Sequence, residues 1–286
     1  MTTIERLGVI GGGLMGSGIT EVGARADLDV VTVEVDDDAA KAAAERVETS
    51  LRRAEQRGKI TEQDVAATLE RITFTSDLQA LADRDLVVEA ASEEEQTKLE
   101  LFGRLGRIVQ KDDAILASNT SSIPIVKLGA ISGRADRVMG VHFFNPAPVM
   151  KLVELIPSLT TSPQTMERMQ GFVEGTLGKE PIEATDRAGF VVNSLLVPYL
   201  LSAIRMYEAG YASATDIDSG MVLGCGHPMG PLALSDLIGL DTIRAIGISM
   251  YEEFKEPLYS PPPLLDRMVD AGLLGKKSGH GFYPYD

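Results

Sequence analysis

Histidine is scarce in this chain of 286 residues, which holds three, and one of them stands where chemistry would be simple to arrange. In "MGVHFFNPAPVMKLVEL" a strand-like run delivers His142 to a Phe-Phe-Asn-Pro break, and a second strand-like run carries Glu154 twelve residues later. A neutral imidazole can take the proton of a hydroxyl while hydride leaves the same carbon for a nicotinamide. A buried carboxylate on the other ring nitrogen would fix the tautomer and stabilise the imidazolium as it forms. His142 could also be a satisfied core imidazole. Three features weigh against that. The Asn-Pro break ends the strand abruptly, and ligands sit at the carboxyl ends of strands in open α/β sheets. Glu154 would lie beside His142 if "MKLVEL" pairs back as a neighbouring strand, and Ser121 in "SNTSS" could reach the same sheet edge. Of the other histidines, His227 in "GCGHPMGP" reads as a loop residue and His280 in "KKSGHGFY" as part of the C-terminal tail. Three scattered histidines have no metal-ligand spacing, so no metal is expected.

A second constellation opens the chain. "GVIGGGLMGSG" sets Gly11, Gly13 and Gly16 in G-x-G-x-x-G spacing directly after a strand-like run. Gly11 permits a tight turn, Gly13 lets backbone approach a pyrophosphate, and Gly16 lets the following helix sit close on the strand. That helix, beginning around Leu14 and Met15, turns free N–H groups and a positive dipole end towards the phosphates. The next strand ends in Glu34, 18 residues after Gly16, as a dinucleotide site requires. A carboxylate there accepts from the ribose 2′-hydroxyl of NAD and repels a 2′-phosphate; Val35, Asp36, Asp37 and Asp38 follow with no Arg or Lys. NAD is therefore expected over NADP. The aspartates also suit a helix N-cap and first turn, and even so they add negative potential.

The elements that must position these groups show in the periodicity. "LGVIGG", "DVVTVEV", "RITFTS", "DLVVEAA", "AILASNT" and "RVMGVHFF" alternate with Ala- and charge-rich helical stretches, which implies βα units and a parallel sheet. "MKLVELI" and "EPIEAT" add two extended runs, and beyond Asp186 the pattern becomes helical throughout. Two domains are expected, 1–186 and 187–286, with "YSPPPLL" a stiff turn between late helices. The 44% hydrophobic and 24% charged residues are those of a globular chain, and no apolar run approaches the roughly 18 residues of a membrane span. The start lacks signal-peptide order, and the single cysteine, Cys225, reads as a small packed residue in a reducing compartment, so a cytoplasmic location is expected. A net charge of −15 argues against nucleic acid, so any anionic ligand must be held locally.

Read together and in order, "GVIGGGLMGSGI", "SNTSSIPI", "GVHFFNPAPVMKLVEL", "GFVVNSLLVPYL", "HPMGPLALSDLIGLD" and "GKKSGHGFYPYD" resemble the (S)-3-hydroxyacyl-CoA dehydrogenase family over virtually the whole chain, in its short bacterial 3-hydroxybutyryl-CoA form. The resemblance implies a Rossmann-type, mainly parallel α/β domain that binds NAD, followed by an all-helical C-terminal domain that forms a homodimer. It implies interconversion of 3-hydroxyacyl-CoA and 3-ketoacyl-CoA, with His142 as acid/base, Glu154 as its orienter, and Ser121 and Asn193 as substrate contacts. Cofactor contacts fall on Gly11, Gly13, Gly16, Glu34, Glu93, Lys98 and Asn119, and CoA contacts on Ser50 and Arg57. CoA is a polyanion, and "SLRRAEQRGK" is the most basic run: Arg52, Arg53, Arg57 and Lys59 against Glu55 give +3. Taken alone, such a run is usually a solvated helix face. The chain departs from the family at Ala188, Ser194 and His280, where proline, arginine and lysine are common. Two rival readings remain: a dehydrogenase of a free hydroxy acid or sugar acid such as gulonate, which has no use for Arg57, and a non-catalytic NAD(H)-binding protein, against which the joint presence of His142, Glu154, Ser121 and Asn193 counts. The apolar circumference of "VVNSLLVPYLLSAIRMY" fits either an internal helix or an associating one.

Overall fold

The computed structural model describes residues 3–285. The chain divides into two compact units, Met1–Asp186 and Arg187–Asp286. The first runs β1 (Arg6–Ile10), α1 (Leu14–Arg25), β2 (Asp29–Val33), α2 (Asp37–Gln56), α3 (Glu62–Glu70), β3 (Ile72–Thr75), β4 (Leu86–Glu89), α4 (Glu95–Ile108), β5 (Ile115–Ser118), α5 (Ile125–Ser132), β6 (Val138–Phe143), β7 (Leu152–Pro157), α6 (Pro163–Gly171) and β8 (Glu180–Glu183). Its eight strands form one sheet in the order β3-β2-β1-β4-β5-β6-β7-β8. The pairs from β3 to β6 are parallel, β7 runs antiparallel to β6, and β8 is parallel to β7.

The inner strands are buried along almost their whole length, β4, β5 and β6 completely, which is why their sequences are apolar runs rather than alternating ones. Leu7, Val9, Val30, Val88, Ile115, Met139, Val141 and Leu155 build one core. The edge strands β3 and β8 are only half-buried, and β8 carries Pro181, which an edge tolerates. Local signals set the helix starts. Asp36 accepts the N–H of Ala39 at 2.8 Å to cap α2, and Thr61 and Asp64 form a reciprocal capping box on α3.

The second unit is helical: α7 (Val192–Glu208), α8 (Ala214–Cys225), α9 (Pro231–Ile238), α10 (Leu240–Phe254) and α11 (Pro263–Asp270). Val197, Leu200, Leu201, Ile204, Leu232, Leu240, Met250 and Leu265 meet in its core. Asp218 accepts the N–H groups of Leu232 and Ala233 at 2.8 and 2.9 Å, satisfying the open start of α9. The fully buried Asp236 accepts from Phe282 and Tyr283 N–H, both at 2.9 Å, and thereby ties down the C-terminal tail. Burial and the Asp218 carboxylate together push the Tyr283 hydroxyl above its ordinary range. Cys225 corrects the sequence expectation. It is exposed rather than packed, because it is the last residue of α8, just before the left-handed Gly226 that ends the helix away from the core.

Candidate active site

The break after β6 turns the chain back, and the antiparallel register sets His142 directly opposite Glu154. Residues paired in this way point to the same face of a sheet. The His142 Nδ1 lies 2.7 Å from Glu154 Oε2, and Glu154 is fully buried. A carboxylate can only accept, so Nδ1 carries the proton of the neutral ring and Nε2 presents its lone pair. Ser121 Oγ stands 3.2 Å from that Nε2, and the Phe144 ring meets the imidazole edge-on at 4.7 Å between centroids. The ring is thus held from three sides.

Ser121 follows β5, in a loop fixed by its own Asn119 and by Glu93 from the segment before α4. Asn119 Oδ1 accepts the N–H of Phe143 at 2.8 Å, stitching this loop to the end of β6. Glu93 Oε1 accepts from Thr120 Oγ1, Ser121 N–H and Ser122 Oγ at 2.5, 2.9 and 3.0 Å. Its other oxygen lies 3.3 Å from Lys98 Nζ. Partial burial alone would push the Glu93 carboxyl up. Lys98 and the three donors outweigh that and hold it below the ordinary carboxylate range. Within the "EEE" run the roles are separate: Glu94 stands at the N-cap position of α4 and accepts from Thr97 Oγ1, Glu95 pairs with Lys127 at 2.7 Å, and Glu93 turns to the serine loop. Lys98 is itself buried against Glu89, Nζ to Oε1 at 2.6 Å. Sequence reading did not single out Glu89. The available signal was a charged residue ending an otherwise apolar strand, "LVVE", much as Glu34 directly follows β2.

Beside this cluster the strand order reverses, with β1 paired to β2 on one side and β4 on the other. A cleft of about 590 Å³ opens there, lined among others by Gly11, Gly13, Glu34, Ala90, Ala91 and Arg104. Its shape depends on the glycines. A Cβ on Gly16 would stand 1.6 Å from the Gly11 carbonyl oxygen, so only glycine lets α1 start against the turn. Gly11 has φ +87°, whereas a Cβ on Gly13 would meet nothing within 4 Å, so that side is open to a ligand. No side chain caps the start of α1, and Leu14 is exposed beside it while Met15 is half-buried. Glu34 Oε1 accepts the N–H of Gly12 at 2.6 Å. Open N–H groups, a glycine cradle and a strand-end acid fit the diphosphate and the 2′-hydroxyl of NAD. Among the described residues, no group of three or more His, Cys, Asp or Glu is placed to hold a metal ion.

The basic run is less positive than its composition suggests. Arg52 is paired with Glu55 at 3.1 Å and with Glu48, one turn earlier, at 3.9 Å. Glu48 lies just outside the quoted stretch, so the count of +3 is reduced. Ser50 is half-buried on α2, and Arg57 is exposed at its C-terminal cap. Asn193 belongs to the second unit, buried in the first turn of α7.

A family profile described as "3-hydroxyacyl-CoA dehydrogenase, NAD binding domain" matches residues 6–187, and one described as "3-hydroxyacyl-CoA dehydrogenase, C-terminal domain" matches residues 189–285. The chain belongs to the 3-hydroxyacyl-CoA dehydrogenase family. It is 55% identical over 282 residues to the 3-hydroxybutyryl-CoA dehydrogenase of Mycobacterium tuberculosis, covering 99% of each chain. The crystal structure of M. tuberculosis FadB2 matches it with a TM-score of 0.99 at 54% identity over 100% of both chains. That of (S)-3-hydroxybutyryl-CoA dehydrogenase PaaH1 from Ralstonia eutropha matches with a TM-score of 0.93 at 44% identity, over 99% of this chain and 100% of that one. The domain that the first profile describes binds NAD, which agrees with the cleft at Gly11, Gly13 and Glu34.

The three departures from the family pattern have local accounts. Ala188 donates its N–H to Glu253 at 2.8 Å, a bond that proline could not make. Ser194 Oγ donates at 2.7 Å to the Phe190 carbonyl, just ahead of the start of α7. His280 contributes its carbonyl to Gly275 N–H at 2.9 Å and leaves its side chain exposed.

Proposed function

We propose that the protein interconverts (S)-3-hydroxybutyryl-CoA, or a similar short 3-hydroxyacyl-CoA, and acetoacetyl-CoA. The observation that carries this reading is the buried His142–Glu154 pair, with its Nε2 turned to Ser121 at a strand end. Bound NAD supplies the acceptor of hydride in oxidation and its donor in reduction. His142 takes the 3-hydroxyl proton at Nε2 during oxidation and returns it during reduction. Glu154 keeps Nδ1 protonated and offsets the positive charge that the ring acquires. Ser121 and Asn193 donate to the 3-oxygen or the thioester oxygen, and a charge-assisted contact there strengthens as the oxygen gains charge. Gly11, Gly13, Leu14, Met15 and Gly16 receive the cofactor diphosphate, Glu34 the adenosine ribose, and Glu93, Lys98 and Asn119 shape the nicotinamide end. Ser50 and Arg57 meet the CoA nucleotide. The names of the relatives at 55% and 44% identity support the acyl-CoA substrate.

The protein works in this reading as a cytoplasmic homodimer that binds neither nucleic acid nor membrane. Leu195, Met229 and Leu237 are exposed around an apolar hollow of about 640 Å³ in the second unit, a surface suited to association. Among the described residues, no helix is long and apolar enough to cross a membrane. The test is loss of NADH absorbance in the near ultraviolet with acetoacetyl-CoA, run beside NADPH and beside free acetoacetate. Turnover with the CoA ester and NADH alone supports substrate and cofactor together. Turnover of the free acid, or none despite NADH binding, overturns the substrate assignment.

A further inference from the structure

Glu89 closes β4 fully buried, and three groups converge on its carboxylate. Oε1 accepts the N–H of Ala91 at 2.7 Å and lies 2.6 Å from Lys98 Nζ; Oε2 accepts from Ser118 Oγ at 2.6 Å. Lys98 Nζ then donates to the Ala91 carbonyl at 3.4 Å and pairs with Glu93. Both backbone polar groups of Ala91 are therefore held by one buried ion pair. Ala91 in turn forms the wall of the dinucleotide cleft: a Cβ on Gly11 would stand 2.9 Å from Ala91 N and Cα.

The same ion pair reaches the serine loop by two routes. Ser118 Oγ, bonded to Glu89, accepts the N–H of Thr120 at 3.2 Å. Lys98, bonded to Glu89, holds Glu93, whose other oxygen takes the Ser121 N–H. Ser121 is the hydroxyl on His142.

A buried lysine needs a partner, since an ammonium withdrawn from water without one is heavily penalised. Glu93 alone is a poor one, its side chain being 43% exposed. We infer that Glu89 is a positioning residue of this enzyme: its charge fixes Lys98, and through Lys98 it sets both the Ala91 wall of the NAD cleft and the loop that presents Ser121 to His142. This rests on the reading of the cleft as the NAD site.

Glu89→Gln isolates the charge. The glutamine carbonyl oxygen still accepts from Ala91, and its amide still meets Ser118, so the hydrogen-bond frame survives while the attraction for Lys98 is lost. The NADH dissociation constant, followed by the fluorescence of bound NADH, should rise by about tenfold or more, the scale of one lost charge-assisted bond. Turnover should fall with it, because a serine loop displaced by even about 1 Å costs rate. The pH–rate profile should stay in place, because the His142–Glu154 pair is untouched.

The second measurement compares Lys98→Met with the double variant Glu89→Gln/Lys98→Met. If Glu89 acts through Lys98, the double variant binds NADH as Lys98→Met does, since the route is already cut. It also removes both charges, which buried pairs tolerate better than the loss of one, so this arm decides even if Glu89→Gln alone does not fold. Wild-type NADH affinity in Glu89→Gln with only a lowered Tm overturns the proposal. So does a double variant that binds NADH at least about tenfold more weakly than Lys98→Met does. NADH binding without turnover of acetoacetyl-CoA in the unmodified protein would sink the substrate reading and leave this comparison standing. No NADH binding at all would overturn both.

Discussion

His142 and Glu154 face each other across the antiparallel β6–β7 ladder, Nδ1 to Oε2 at 2.7 Å, with the carboxylate wholly withdrawn from solvent. The pair joins two functions in one contact: the carboxylate selects the tautomer, and its charge lies ready for the imidazolium. General acid–base groups contribute about 10²–10⁴-fold to rate. His142→Gln should lower kcat for acetoacetyl-CoA reduction by at least about 100-fold while NADH still binds. Glu154→Gln should bring a comparable loss and displace the pH–rate profile, because the imidazolium formed in turnover then lacks its counter-charge. Steady-state rates across pH on both variants check this, and near-wild-type turnover in His142→Gln would remove the assignment.

Cofactor choice should turn on Glu34, whose Oε1 already accepts the Gly12 N–H at 2.6 Å. Glu34→Gln keeps an acceptor for that N–H but removes the charge that repels a 2′-phosphate. The preference for NADH over NADPH, taken as the ratio of kcat/KM values, should fall by about tenfold. An unchanged ratio would mean that Asp36 to Asp38, or the shape of the cleft, carries the discrimination.

The sheet is legible in the sequence because strands buried on both faces must be largely apolar, as "LVVE", "ILAS" and "VMGVHF" are apart from one polar residue near each carboxyl end, and because helical periodicity separates them. The glycine turn is legible for a similar reason, since a φ of +87° disfavours other residues at Gly11 and a Cβ 1.6 Å from a carbonyl excludes them at Gly16. The contact of His142 with Glu154 is less so. Twelve residues allow a hairpin but do not set its register, and a slip of one would bring Val153 or Leu155 opposite the histidine. Glu89 is harder still, because its partner lies nine residues on, in a helix, and nothing local requires the pair to be buried. Cys225 misleads because cysteine is usually buried, whereas a helix end sets its exposure here.

Arg57 stands exposed at the end of α2, where an ion pair is worth little and is screened by salt. In the proposed reading, its contribution to binding is confined to the charged end of CoA. Arg57→Glu should raise KM for acetoacetyl-CoA roughly three- to tenfold at low ionic strength, with the difference shrinking as salt is added. A pantetheine thioester without the nucleotide should show no such rise. Equal effects on both thioesters would place the CoA nucleotide elsewhere.

Asp85 predicts how the first unit responds to acid. It is buried, and burial alone would raise its carboxyl. Lys111, 2.5 Å from Oδ1, and the N–H groups of Glu5 and Arg6, at 3.0 and 2.9 Å from Oδ2, outweigh burial and hold it below the ordinary carboxylate range. A pKa lower in the folded than in the unfolded chain means that the unfolded chain binds the proton more readily. The stabilisation is then complete above the unfolded value, about 3.9, and drains away as pH falls from there through the folded value. Asp85→Asn should cost about 1–3 kcal/mol near neutral pH, because the amide meets Lys111 without a charge. The gap in Tm between the two proteins should close as the buffer is taken below about pH 4. A gap that stayed constant with pH would show that packing, and not the ionised carboxylate, anchors the start of β1.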